Sequence, residues 1–198
     1  MTTVVSALWR VTDLLGEAGA PYALVGGYAV AVRAEPRFTK DVDLVVSVTD
    51  DAHAESLVGM FRGHGYRVLA IVEQEAVKRL ATVRLAPPSA PQHGLVVDLL
   101  FASSGIESEI ALEAEPLELV EGLIVPVARR SHLLALKVLA RDDRRRPQDL
   151  TDLRALLVRA TDEEVAGAKT CLAIITERGF NRGRDLVSDF ERLLNERD

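Results

Sequence analysis

At 198 residues, 48% of them hydrophobic and with a formal net charge of −6, the chain has the size of one domain or two small ones with an ample core. No run of 18 apolar residues occurs, and the opening MTTVVSALWR lacks a charged start followed by a long apolar core, which argues against a membrane span and a secretory signal. The single cysteine, Cys171, cannot close an internal disulfide, which fits a reducing, cytoplasmic setting, and one Cys with four scattered His gives no expectation of zinc.

Residues 3–18 read as an amphipathic helix, with Val4, Leu8, Val11, Leu14 and Leu15 on one stripe and Gly16 and Gly19 to stop it. Pro21 leads into a strand over 22–25. The rest of the chain is organised around 24–46, LVGGYAVAVRAEPRFTKDVDLVV. Gly26 and Gly27, placed after a strand, let the backbone take positive φ and approach a ligand with no Cβ in the way. A short helix over 28–33 follows, and its free N–H groups and dipole would form an anion site suited to phosphate. Asp41 and Asp43 are two apart, so on a strand both side chains leave the same face. Such carboxylates repel unless a cation sits between them, and hard oxygen ligands suit Mg²⁺ carrying nucleotide phosphates. Alone, Gly-Gly is a turn and the two Asp are strand-end solvation. Together in one strand–helix–strand unit they lay out phosphoryl transfer.

The near-continuous apolar run 42–48 suits a strand covered on both faces. Thr49, Asp50 and Asp51 offer caps for a helix to about 62, closed by Gly63 or Gly65. Residues 66–73 and 80–86 read as strands, and PPSAPQHG is a breaker-rich loop. In LVVDLLF, over 95–101, Asp98 is costly to bury without a partner, so it is expected to face a cation; the alternative is an edge-strand acid facing water. A Glu-rich surface helix over 105–114 precedes a hairpin of 117–120 and 123–127 around Glu121-Gly122.

After Ser131 the chain turns helical. HLLALKVLA is apolar almost all round, so Lys137 within it needs an anion: a nucleotide triphosphate, or a plain salt bridge. Arg144, Arg145 and Arg146 form a cationic cluster, Pro147 suits a first helical turn, and Asp149 and Asp152 share one helical face. Helices over 162–177 and 183–195 close the chain. Residues 126–160 hold nine Lys/Arg against four Asp/Glu, a basic segment on an otherwise acidic body.

The paired glycine, the gap of about a dozen residues and the Asp-x-Asp flanked by apolar residues resemble the signature of the polymerase-β-like nucleotidyltransferase superfamily. LLALKVLAR, a basic turn and QDLTDLRAL make the chain similar, from about 22 to 157, to the AbiEii/MenT-type nucleotidyltransferase toxins. The resemblance implies an α+β fold: a mixed sheet with flanking helices over 1–128, then a helical bundle over 129–198. It implies two-metal catalysis, with Asp41 and Asp43 holding Mg²⁺ and Asp98, the third carboxylate, holding or orienting the metal ion near the attacking 3′ hydroxyl. Gly26 and Gly27 would line the phosphate path, and Lys137 would meet the nucleotide phosphates. Asp152 matches the distal acid, with Asp149 as the competing alignment. Gly26-Gly27 stands where many members have Gly-Ser, which keeps the backbone cradle and loses a hydroxyl. The activity implied is transfer of nucleotides, CTP favoured, to the tRNA 3′ acceptor end, blocking aminoacylation and translation. Arg129, Arg130 and Arg144 to Arg146 would bind the RNA backbone. The implied partner is a cognate antitoxin, which in this branch can act as a kinase on a Ser or Thr just ahead of the metal pair, and Thr39 matches that position. By composition alone Thr39 is equally a β-former entering a strand. Transfer to a small molecule or a protein, and a non-catalytic nucleotide- or partner-binding module, are the alternatives.

Overall fold

The computed structural model describes residues 3–36, 39, 41–75, 77–88, 94–142 and 144–196. In chain order, α1 (Thr3–Glu17), β1 (Tyr22–Val25), α2 (Gly26–Arg33) and β2 (Asp41–Val46) are followed by α3 (Asp51–Gly63), β3 (Arg67–Gln74), β4 (Arg79–Ala86) and β5 (Val96–Leu100). Then come α4 (Glu107–Leu112), β6 (Glu115–Val120), β7 (Leu123–Val127), α5 (Arg130–Ala140), α6 (Pro147–Val158), α7 (Asp162–Glu177) and α8 (Leu186–Asn195).

The strands form one seven-stranded sheet in the order β3-β4-β5-β2-β1-β7-β6. β2 runs parallel to β5 and β1 parallel to β7, while the remaining neighbours are antiparallel, so the sheet is mixed and the fold α+β. β2 lies in the middle, and its apolar residues Val42, Leu44, Val45 and Val46 are fully buried, as a strand covered on both faces requires. One buried cluster joins Leu15 of α1 and Leu24, Val45 and Leu99 of the sheet to Leu134, Leu156, Leu172 and Phe190 of the last four helices.

Several bounds differ from those read in the sequence, each for a local reason. α2 begins at Gly26 rather than at residue 28, because Gly26 itself turns the chain with φ +63°. α4 is shorter than 105–114, since the Glu107 carboxylate accepts the N–H groups of Ser103, Ser104 and Gly105 at 2.7, 2.6 and 2.9 Å and holds those residues in a loop. α8 starts at Leu186 because Asp185 caps it, accepting from the Ser188 N–H at 3.0 Å. The breaker-rich loop lies largely outside the described residues, at 89–93.

Candidate active site

Alternation along β2 sends Asp41 and Asp43 out on one face, and the parallel register sets Asp98 of β5 directly beside Asp43. All three line a cleft of about 780 Å³ whose walls also carry Gly26, Gly27, Thr39, Arg84, Lys137, Asp149, Arg145, Arg146 and Arg182. Residues from 26 to 182 thus converge on one opening.

The Asp43 carboxylate sits against Gly26. A Cβ added to Gly26 would stand 1.8 Å from Asp43 Oδ2, so both the positive φ and the close approach demand glycine there. The Gly27 N–H donates to the same carboxylate, so this end of α2 already holds an anion of the protein itself. Asp43 retains some exposure to the cleft while protein crowds its other sides. Burial, then Asp98, then Asp41 push its pKa up to about 6, against a smaller opposite pull from Lys137 and the Gly27 N–H. Asp43 therefore meets more negative charge than the cations near it balance.

Asp98 is buried, and its two oxygens accept from Arg84 Nε and Nη2 of β4 at 2.9 and 2.7 Å, a bidentate fork that raises the Arg84 pKa. Among the described residues no group of three or more His, Cys, Asp or Glu side chains is arranged to hold a metal ion. Asp41, Asp43 and Asp98 do line one cleft together, and Arg84 occupies both oxygens of Asp98. The pair Asp41 and Asp43 still fits magnesium. That ion commonly takes one or two protein carboxylates and completes its shell with phosphate oxygens and water, and it would relieve the excess charge on Asp43.

The other wall is built differently. Lys137 of α5 donates to Asp149 Oδ1 at 2.8 Å and lies 2.7 Å from Asp152 Oδ2, with all three side chains almost completely buried. The Gln148 amide donates to Asp152 Oδ1 at 3.0 Å. Arg146 Nε stands 2.9 Å from Asp149 Oδ2, an ion pair by distance whose angle makes no hydrogen bond. The salt-bridge alternative for Lys137 is realised while the lysine still lines the cleft. Asp149 lines it too, and Asp152 lies behind, so both aligned acids meet the lysine.

Among the arginines read as RNA contacts, Arg145 and Arg146 line the cleft and Arg144 is exposed beside them. The structure does not bring Arg129 and Arg130 there. Arg129 meets Glu113 at 3.1 Å, and Arg130 meets Glu164 at 2.6 Å and donates to Arg33 O at 3.1 Å, joining α5 to α7 and α2. Glutamates distant in sequence hold the charges that made this pair look available. Thr39 lines the cleft, with its hydroxyl 3.5 Å from Asp41 O, too long for a strong bond.

Two charged cleft residues escaped the sequence reading. Arg84 could have been found from the alternation of β4, which puts it on the face opposite Val83 and Leu85. Arg182 carried no periodic signal: it occupies a turn with φ +55°, and burial, Arg146 and Arg184 all lower its pKa. Among the described residues no carboxylate pairs with it, so this wall has positive charge to offer.

Solved structures share the architecture. The antibiotic-resistance factor ANT(2'')-Ia superposes with a TM-score of 0.57 at 18% identity, over 89% of this chain and 93% of that one. Its crystal structure in complex with adenylyl-2''-tobramycin gives 0.57 at 16% identity, over 89% and 99%. An antigenic nucleotidyltransferase-like protein from Paracoccidioides brasiliensis gives 0.51 at 22% identity, over 96% and 91%. At such identities the likeness establishes the fold. No curated protein matches the chain significantly. The description of the family "Nucleotidyl transferase AbiEii toxin, Type IV TA system" matches residues 13–197, nearly the whole length. With the carboxylate pair, the glycine turn and the nucleotidyltransferase fold in place, the chain belongs to the AbiEii nucleotidyltransferase toxin family.

Proposed function

We propose that this toxin-family nucleotidyltransferase transfers nucleotides from a nucleoside triphosphate, CTP favoured, to the 3′ acceptor end of tRNA in the cytoplasm, which blocks aminoacylation. The observation that carries this reading is the charge arrangement of one cleft: an under-compensated carboxylate pair, Asp41 and Asp43, on one wall and Arg145, Arg146 and Arg182 on another. A polyanionic acceptor and a triphosphate carrying a divalent cation need both kinds of wall. The preference for CTP rests on the family resemblance.

Asp41 and Asp43 would hold Mg²⁺, which when bound supplies offsetting charge for the triphosphate and polarises the phosphoryl group under attack. Gly26 leaves room for the Asp43 carboxylate, and Gly27 holds it through its N–H. Arg84 fixes the Asp98 carboxylate, whose oxygens keep lone pairs for the attacking 3′ hydroxyl. The new bond joins the 3′ oxygen to the α-phosphorus, the hydroxyl proton passes to Asp98, and the bond to the bridging oxygen breaks. Lys137 has three N–H groups, and the one not directed at Asp149 or Asp152 would meet the departing pyrophosphate. Asp149, Asp152 and Gln148 act as positioning residues for that lysine.

The partner is an antitoxin encoded with the toxin. Phosphorylation of Thr39, on the cleft wall, would add about two negative charges beside Asp41 and repel the triphosphate. The test of the whole reading incubates the protein with tRNA, Mg²⁺ and each labelled nucleoside triphosphate in turn. Label should enter the 3′ end with wild type and fall about a thousandfold with Asp41→Ala. Absence of labelling by wild type, or equal labelling by the variant, would defeat the reading. Tobramycin or a protein acceptor in place of tRNA tests the alternative acceptor classes, and nucleotide binding indifferent to Mg²⁺ would favour a binding module.

A further inference from the structure

Two-metal phosphoryl transfer places one cation by the leaving group and a second by the attacking oxygen, about 3.5–4 Å away. The second ion needs a carboxylate with an oxygen to give. Asp98 is the acid placed for it, beside Asp43 in the register of β2 and β5. Its oxygens are taken. Arg84 stands directly opposite Asp98 in the register of β4 and β5, with Nε 2.9 Å from Oδ1 and Nη2 2.7 Å from Oδ2. Strand pairing thus sets both partners side by side, and the rigid guanidinium fork loses little freedom in closing on the carboxylate. The Asp98 side chain is 9% exposed, whereas that of Arg84 is 47% exposed and lines the cleft.

We infer that the Arg84 guanidinium occupies the place of the second metal ion, so that the chain works with one divalent cation, held by Asp41 and Asp43. This rests on the reading of the cleft as a nucleotidyltransferase site. The charges agree with it. Three carboxylates, one guanidinium and one divalent cation sum to zero, and a further divalent cation would leave positive charge in excess. Displacing Arg84 would cost two charge-assisted hydrogen bonds, and magnesium gives up its water reluctantly. Arg84 keeps its charge at any physiological pH, and the N–H groups outside the fork can meet a ligand in the cleft. Arg84 can therefore offset the charge that develops on the attacking 3′ oxygen, as an ion would. The bonds that form and break are unchanged, and Asp98 still takes the proton.

Counting bound Mn²⁺ by electron paramagnetic resonance tests this, on the full-length chain with one equivalent of CTP made non-hydrolysable by a methylene between the α and β phosphorus atoms. Wild type should bind one Mn²⁺ per chain, with the spectrum of an isolated ion. Arg84→Met, which frees the Asp98 oxygens, should bind two, with the line broadening of neighbouring ions. Arg84→Gln keeps a donor for Asp98 and should also bind two, which serves if Arg84→Met fails to fold. In the tRNA labelling assay at low Mg²⁺, Arg84→Met should be about a hundredfold slower and should recover in part as Mg²⁺ rises. A residue with only a structural duty would show no such recovery. Two coupled ions in wild type, or one ion in both Arg84 variants, overturn the inference and leave the nucleotidyltransferase reading standing. A wild type that leaves the Mn²⁺ spectrum as it is with the analogue in free solution overturns both.

Discussion

The cleft has two clusters of carboxylates, one half-buried on the sheet and one buried among the helices, and they are balanced in opposite ways. On the helical wall Asp149 and Asp152 enclose Lys137, with Gln148 on one oxygen and Arg146 near another. On the sheet wall Asp43 has, among the described residues, the Gly27 N–H and a share of the Lys137 charge, while Arg84 stands nearby with both its oxygen contacts on Asp98, and Asp43 is pushed up to about 6. Removing a partner from a balanced cluster exposes a buried charge and unsettles the fold. An unbalanced cluster is already strained and is relieved by a cation or a proton. One wall is architecture that can assist chemistry, and the other is a binding site that costs stability when empty.

The largest effect should come from the balanced side. Lys137→Met takes from the buried Asp149 and Asp152 the ammonium group they share, and urea unfolding should show a loss of about 3–5 kcal/mol. Adding Asp149→Asn and Asp152→Asn to Lys137→Met should recover most of it. If Lys137→Met unfolds as wild type does, the lysine is a phosphate ligand with no structural duty and the contrast between the walls disappears.

Next is Asp43, where the sign is reversed. Its folded pKa lies above its unfolded value, so the associated stability is present below about pH 4 and lost as pH rises through about 6. Asp43→Asn should therefore make the metal-free protein more stable near neutral pH, by up to about 3 kcal/mol, and the gain should shrink toward about pH 4. Magnesium should narrow the gap by stabilising wild type alone. A variant less stable than wild type at neutral pH would show that Asp43 is better balanced than its neighbours indicate.

How much of this contrast could be read in the sequence depends on distance along the chain. Asp41 and Asp43 were legible because a period of two fixes a shared face, and Asp98 because a carboxylate inside LVVDLLF demands a partner. The partner itself, Arg84, comes from an adjacent strand whose register no local pattern reveals. The spacing of Asp149 and Asp152 puts them on one helical face, but only the packing of α5 on α6 shows that the face meets Lys137. The place of Arg129 and Arg130 away from the cleft was hidden for the same reason, since Glu113, Glu115 and Glu164 reach them from other elements. The sheet-and-helix architecture was readable from periodicity and resemblance, and the start of α2 was not, because it depends on Asp43 lying against Gly26.

Arg182 tests whether the helical half contributes free positive charge as well as a balanced cluster. Arg182→Gln should weaken triphosphate binding about tenfold and monophosphate binding far less, read by displacement of a fluorescent nucleotide. Since its positive φ is strained for any side chain but glycine, Arg182→Gly should lose the same affinity while leaving thermal stability equal or higher. Equal triphosphate affinity in both variants and wild type would confine phosphate recognition to the sheet wall.

The smallest structural effect is expected at Thr39, next to the unbalanced pair. Its hydroxyl lies 3.5 Å from Asp41 O, so removing it in Thr39→Val should change stability by less than about 0.5 kcal/mol. Activity should also survive, because the hydroxyl is not a required ligand in the proposed site. What the variant should lose is sensitivity to an antitoxin that acts by phosphorylation, since there is no oxygen left to modify. Thr39→Glu brings one negative charge to the same wall and should raise KM for the triphosphate, an increase that rising Mg²⁺ partly offsets. The two substitutions separate charge from hydroxyl at a position where the sheet wall already has too many anions. If Thr39→Val alone silences the enzyme, the hydroxyl binds substrate directly and the repulsion account of this wall is wrong.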